Sequence, residues 1–292
     1  MTDKVLIFTP TWTLGNGDLA IHPECEESIL AQKRGFRGHI DWVVNTAQPY
    51  PIPDHRNVLE HYRTARAWFL TQGYDALLTV EHDNVLPDDG VLQRMYDTPA
   101  DVIYAPYMLR HGMRMLSVWQ YINDRNLGMS LSNYPYELAQ YKRQGYGRIC
   151  GVGYGCTLFR RHVLERLEFR DGQDGVQVCP DIPFAEDALR DGFVSMGRFD
   201  APVAHYEDGR RLDAYGEIPT VQYIARETVN AIADGTFFRL VKGEMYTLTA
   251  TQAADLVRAG YIDTPQATAP ETAAIEPTRR AVAPKARNRR AG

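Results

Sequence analysis

Residues 75–89 read DALLTVEHDNVLPDD. Ala76-Leu77-Leu78-Thr79-Val80 is a short run of strand formers. It stops at Glu81-His82-Asp83-Asn84, and Pro87-Asp88-Asp89-Gly90 turns the chain. A buried strand that empties into two carboxylates one residue apart suits a divalent cation, because hard cations take oxygen ligands. In open α/β sheets, ligands gather beyond the C-terminal ends of the strands. An acidic surface turn behind a core strand is the other reading of these residues taken alone.

Upstream, Lys4–Phe8 reads as a first strand ending at Thr9-Pro10-Thr11-Trp12. Residues 22–34 read as a helix with Pro23 near its start, acids early and bases late. Asp41–Asn45 is a second strand, so the opening is a βαβ unit. A loop over 46–54 carries Pro49, Pro51 and Pro53. An amphipathic helix over 57–71 places Val58, Tyr62, Ala65 and Phe69 on one face.

Downstream, the pattern predicts a short helix over 90–97 and a strand over Asp101–Ala105, stopped by Pro106. Residues 107–148 are less regular and rich in aromatic and amide side chains such as Trp119, Gln120, Tyr121, Asn133, Tyr134 and Tyr136. They read either as an insertion shaping a substrate pocket or as packing at a sheet edge. Gly151, Gly153 and Gly155 permit close backbone approach ahead of a strand over Cys156–Phe159. No dinucleotide fingerprint fits there. Helices are predicted over 161–167 and 183–193, and an extended segment over 199–203 delivers His205. A helix over 219–234, a hairpin over 237–248 and a terminal helix over 249–260 complete the folded part.

The chain has 292 residues, 44% hydrophobic and 24% charged, which is globular material with room for one large core and an appendage. A formal net charge of -5 does not imply a general nucleic-acid-binding surface. Cys25, Cys150, Cys156 and Cys179 show neither CxxC nor zinc-finger spacing, so reduced thiols are expected. The apolar run after the N-terminus is too short for a signal peptide core or a membrane span, and a cytoplasmic protein with no integral membrane segment is expected. From Thr264 the chain is poor in bulky apolar residues, with two acids and six bases. It reads as a disordered basic tail that can touch an acidic partner. The expected division is a catalytic domain over 1–210, an extension over 211–263 and the tail over 264–292.

Three chemical points stand apart in sequence: Glu81/Asp83, Glu186/Asp187 and His205. Each follows a strand-like or glycine-rich segment. Together they predict one mouth lined by oxygen ligands and an imidazole. A structural histidine and helix N-terminal charges are the plainer readings of the last two.

Over residues 4–208 the chain resembles glycosyltransferases of the GT-A fold, family 2-like. Thr9-Pro10-Thr11 matches the family's nucleotide-binding loop, and Glu81-His82-Asp83 stands where its DxD motif follows a central strand. Arg56-Asn57 resembles an arginine-asparagine element near the nucleotide. The string GVGYGCTLFRRHVLERL over 151–167, with Gly153, looks like the acceptor-side segment. PFAEDALRDGF over 183–193 resembles the ED motif, and His205 in VAHYE resembles a histidine added to the metal shell. Glu81 departs from the motif by one methylene, which makes Asp83 the surer ligand. Val44-Asn45-Thr46 stands where relatives carry an acidic pair for base and ribose, so the nucleotide is left open.

The resemblance implies an α/β fold: an open twisted mixed sheet flanked by helices, Rossmann-like in its nucleotide-binding half, with a small C-terminal appendage. It implies a metal-dependent transfer from a nucleotide-diphosphate-sugar, UDP- or GDP-type, to an acceptor hydroxyl by inverting displacement. The ion is Mn2+ or Mg2+, held by Asp83, Glu81 and His205. Thr9, Pro10, Thr11, Asn45, Arg56, Asn57, Glu81 and Gly153 serve the nucleotide. Asp187 is the expected base, with Glu186 its neighbour or substitute. The acceptor is open among glycan, nucleic acid and small molecule. Two other functions are carried: a sugar-phosphate nucleotidyltransferase, which the absence of Lys and Arg between Thr9 and Gly17 disfavours, and a non-catalytic nucleotide- or glycan-binding accessory protein.

Overall fold

A computed structural model of the protein describes residues 3–263, apart from 52–53, 55, 110–114, 124–125, 152, 173–179, 208, 216–219 and 234–235. The basic tail and Cys179 lie outside the described residues. The chain divides into two compact units, Met1–Ile218 and Pro219–Gly292.

The first unit opens with β1 (Lys4–Pro10), α1 (Pro23–Gly35), β2 (His39–Asn45), α2 (Arg56–Thr71), β3 (Ala76–Val80), β4 (Asn84–Val85), α3 (Val91–Tyr96) and β5 (Val102–Tyr104). The middle holds β6 (Trp119–Asn123), β7 (Asn126–Ser130), α4 (Pro135–Gln144), β8 (Tyr146–Arg148) and β9 (Cys156–Arg160). It closes with α5 (Arg161–Arg166), α6 (Asp181–Arg190), β10 (Ser195–Arg198), β11 (Ala204–Glu207) and β12 (Arg210–Leu212).

Seven strands form one sheet in the order β2-β1-β3-β9-β5-β10-β8. β1 runs parallel to β2 and β3, and β10 parallel to β5. β9 inserts antiparallel between β3 and β5, and β8 closes the far edge antiparallel to β10. This is the expected α/β class, a mixed sheet with helices on both faces.

Alternation along the strands sorts the core. Leu6, Phe8, Leu77 and Phe159 point to the side covered by α2, α5 and α6. Val5, Ile7, Leu78 and Leu158 point to the side covered by α1 and α3. Burying each such side chain is worth about 1.5–3 kcal/mol, so the two faces of the sheet hold this unit together. Gln32 adds a polar tie inside it. Its amide nitrogen donates to the Asp88 carbonyl and its oxygen accepts from Leu92 N–H, at 2.8 and 3.0 Å, which joins α1 to the start of α3. On α2 the buried face begins at Leu59 rather than Val58, which is 40% exposed. The strands near His205 lie at 195–198 and 204–207, on either side of the extended segment expected over 199–203.

The second unit comprises β13 (Thr220–Ile224), β14 (Val229–Ala233), β15 (Thr236–Leu240), β16 (Met245–Thr249) and α7 (Ala250–Arg258). β13 pairs with β16, and β14 with β15, both antiparallel. Leu240, Leu248, Ala253, Leu256 and Ile262 form its core. Two expectations are corrected here. In place of the helix expected over 219–234 stand the strands Thr220–Ile224 and Val229–Ala233, and Thr236–Leu240 and Met245–Thr249 do not pair with each other. Each of those later strands pairs back to an earlier one, so cross-strand partners decide the local structure.

Candidate metal centre

The site begins where β3 ends. Glu81 N–H donates to the Gly155 carbonyl at 2.9 Å, and Asn84 N–H returns to the Glu81 carbonyl at 3.1 Å, which closes a tight turn around His82 and Asp83. β4 then pairs with β11, setting His205 opposite Asn84. Tyr206 N–H donates to the Asp83 carbonyl at 3.0 Å. Backbone pairing thus carries a histidine from late in the sequence to the acidic turn.

Glu81, Asp83 and His205 each offer a ligand atom, and these atoms all lie within 4.8 Å of one another. Asp83 is 6% exposed and His205 2%. His205 Nε2 lies 3.4 Å from Asp83 Oδ1, and His82 Nε2 3.7 Å from Asp83 Oδ2. The other ring nitrogen of His205 is 2.8 Å from the Met108 carbonyl oxygen, and the Tyr107 ring packs against it edge-on. Burial works against charging His205, but the hydrogen bond and charge of Asp83, helped by Glu81, outweigh it and raise its pKa. Tyr62 O–H donates to Glu81 Oε1 at 3.3 Å.

The loop after β1 borders this turn. Trp12 meets His82 edge-on, with ring centroids 4.6 Å apart. Thr9 is buried and its hydroxyl accepts from Trp42 Nε1–H; Thr11 is buried and donates to the Ala20 carbonyl. Pro10 is half-buried at the end of β1. Asn45, at the end of β2, has its amide nitrogen 2.9 Å from His61 Nδ1 and accepts from Ala47 N–H. His61 is buried, and its pKa is lowered by burial first and then by the neighbouring His82.

Arg56 and Asn57 stand at the start of α2. The Arg56 guanidinium grips Asp54 through Nε and Nη2 and stacks over Tyr50. Asn57 is buried and clasps Tyr50, accepting from its N–H and donating to its carbonyl, both at 3.0 Å. Both brace the loop before α2.

Gly153 adopts φ +90°, which disfavours side chains, and an added Cβ would stand 2.6 Å from Tyr107 Oη. Its N–H donates to Asp181 Oδ2 at 3.1 Å. The charge of Asp181 acts on Tyr62 and Tyr107, the same two phenols that feel Glu81.

Asp187 does not offer the open carboxylate expected of a base. It is 6% exposed and gripped by Arg170 at 2.7 and 2.9 Å and by Arg190 at 2.7 Å. The Arg170 hydrogen bond holds its pKa below the usual carboxylate value. Glu186 is exposed on α6. The residues that sequence reasoning missed are Tyr62, Tyr107 and Asp181. Asp181 carried a signal, as an acid six positions before Asp187 at a helix start. The tyrosines carried none, since buried phenols look like core.

No family model matches the chain. No curated protein matches it either. Among solved structures, the A197 protein of STIV is 15% identical with a TM-score of 0.46, over 75% of this chain and 97% of its own. A mannosyltransferase from Pyrobaculum calidifontis, PcManGT, in complex with GDP-Man and Mn2+, is 13% identical with a TM-score of 0.38, over 74% of this chain and 60% of its own. CMP:2-keto-3-deoxy-manno-octonic acid synthetase complexed with CTP is 13% identical with a TM-score of 0.37, over 67% and 89%. The structural neighbours thus include a glycosyltransferase and a nucleotidyltransferase, at a level of likeness that assigns neither reaction to this chain.

Proposed function

We propose that the chain is a GT-A-type, metal-dependent glycosyltransferase that moves a sugar from a nucleotide-diphosphate-sugar to an acceptor hydroxyl. One observation carries the reading: Glu81, Asp83 and His205 converge within 4.8 Å beyond the end of a central strand. The donor set fits a divalent ion. Two carboxylates suit Mg2+ or Mn2+, and an imidazole inclines the set towards the transition ion. His205 Nε2 is buried and faces Asp83 Oδ1, while Nδ1 is held by the Met108 carbonyl, so Nε2 is the nitrogen turned to the carboxylates.

An ion held there offsets the negative charge that develops on the diphosphate leaving group. The chain supplies the rest. Thr9, Pro10, Thr11 and Asn45 border the space for the nucleotide, and Arg56 and Asn57 shape its loop. Inverting displacement makes the acceptor O–C bond as the sugar–phosphate bond breaks, and the acceptor proton needs a base. We place that role at Asp181, a carboxylate held by Gly153 N–H whose charge acts on Tyr62 and Tyr107, the same phenols that feel Glu81. Asp187 anchors α6 through its arginines, and Glu186 lies on the outer side of the same helix.

The test is turnover of a panel of UDP- and GDP-sugars with and without Mn2+. Metal-dependent release of nucleoside diphosphate, lost in Asp83→Ala, is expected. Pyrophosphate release from a nucleoside triphosphate would instead make the chain a nucleotidyltransferase. Failure to bind either metal or nucleotide by calorimetry, with partner binding retained, would make the chain a non-catalytic accessory protein. Among the described residues no helix is long and apolar enough to cross a membrane.

A further inference from the structure

Glu81 departs from the shorter acid expected at its position, and α2 meets that departure. Tyr62 projects from α2 with its ring 1% exposed. The Tyr154 ring, 4.9 Å away edge-on, and the Phe169 ring at 5.5 Å fix its plane. Leu59, Ala65 and Phe69 seat the helix on the sheet. The phenol therefore reaches Glu81 Oε1 from a rigid support, at 3.3 Å. The main chain of Glu81 is held independently, by its N–H bond to Gly155, whose own N–H donates to Tyr107 Oη at 3.2 Å.

We propose that Tyr62 is a positioning residue that makes the longer carboxylate of Glu81 serve as a metal ligand. A glutamate has one more rotatable bond than an aspartate, so ordering its carboxylate loses more side-chain entropy. Tyr62 removes that freedom before the ion arrives, by fixing one oxygen and so the plane of the carboxylate. A phenol ordinarily loses its proton only near about pH 10, so it acts as a donor throughout the ordinary pH range. Partners of this kind, one bond behind the ligands, typically govern about 10–100-fold in metal affinity.

The inference rests on the metal reading, and one experiment separates the two. Mn2+ affinity is measured by electron paramagnetic resonance on the full chain, for wild type, Tyr62→Phe, Glu81→Asp and the double variant, with thermal unfolding alongside. Wild type is expected to bind. Tyr62→Phe is expected to bind about tenfold or more weakly. In the Glu81→Asp background the same change is expected to do nothing further, because the shorter carboxylate no longer reaches the phenol. Equal losses in both backgrounds, or none in either, overturn the positioning role while leaving the metal site intact. Absence of Mn2+ binding in wild type overturns both.

Discussion

His205 Nε2 faces Asp83 Oδ1 at 3.4 Å while its Nδ1 is held at 2.8 Å by the Met108 carbonyl oxygen. With Nδ1 engaged by the carbonyl, Nε2 is the ring nitrogen directed at the acidic turn. Mn2+ at a hundredfold excess over its dissociation constant adds about 2.7 kcal/mol to the stability of the state that binds it. For a unit of this size that is about 5–10 °C in the melting midpoint. Differential scanning calorimetry with Mn2+ and with EDTA should show that gap in wild type. It should show none in Asp83→Asn.

Asp187 and Asp181 are expected to part company on mutation. The arginine pairs depress the Asp187 pKa, so its stabilising contribution is complete above the unfolded value, about 3.9. It fades as pH falls through the lower folded value. Asp187→Asn should cost about 2 kcal/mol at neutral pH, with the difference vanishing in strong acid. Asp181→Asn should leave Mn2+ binding in place and lower transfer by about 100- to 10,000-fold. The reverse pattern, with transfer lost only in Asp187→Asn, would move the base to α6.

His61 supplies a second pH dependence at milder values. Its ring nitrogens face the amide nitrogens of Asn45 and Gln48 at 2.9 and 3.0 Å, and a protonated ring can accept from neither. The folded pKa lies below the unfolded one, about 6.5. Stability should be complete above that value and decline as pH falls towards the folded pKa. Proton NMR should find the His61 titration below 6.5. His61→Phe should flatten the urea-denaturation stability over the same interval.

Gly153→Ala tests the loop that joins Asp181 to the tyrosines. The left-handed backbone costs a side chain about 1–2 kcal/mol. The new methyl would meet Tyr107 Oη at 2.6 Å and Ser117 Cβ at 2.9 Å. Overpacking adds about 1–3 kcal/mol. Denaturant unfolding should therefore show a loss of about 2–5 kcal/mol. Full stability would mean that the loop rearranges readily.

How much was legible depends on whether the deciding partner was local. Ala76–Val80 and the acids after it could be read directly, because an apolar run and a turn are properties of neighbours in sequence. The late histidine could be suspected, but only β4–β11 pairing brings it to Asp83. Residues 219–234 carry Val221, Ile224, Val229 and Ile232 at spacings that also suit a helix. Partners in β15 and β16, beyond the window, make them strands. Asp187 shows its charge in the sequence but not the two arginines that engage it. Arg170 lies across an intervening segment, and its approach belongs to the tertiary fold.

The antiparallel β9 has a consequence for how the molecule comes into being. During synthesis the first hundred or so residues can pair β1, β2 and β3, yet the far side of β3 stays unfilled until residues 156–160 emerge. For that interval an apolar strand edge is open to any other extended chain, the exposure that favours aggregation. A nascent chain halted before Cys156 should therefore depend heavily on chaperones, whereas one released just after Arg160 has closed the gap.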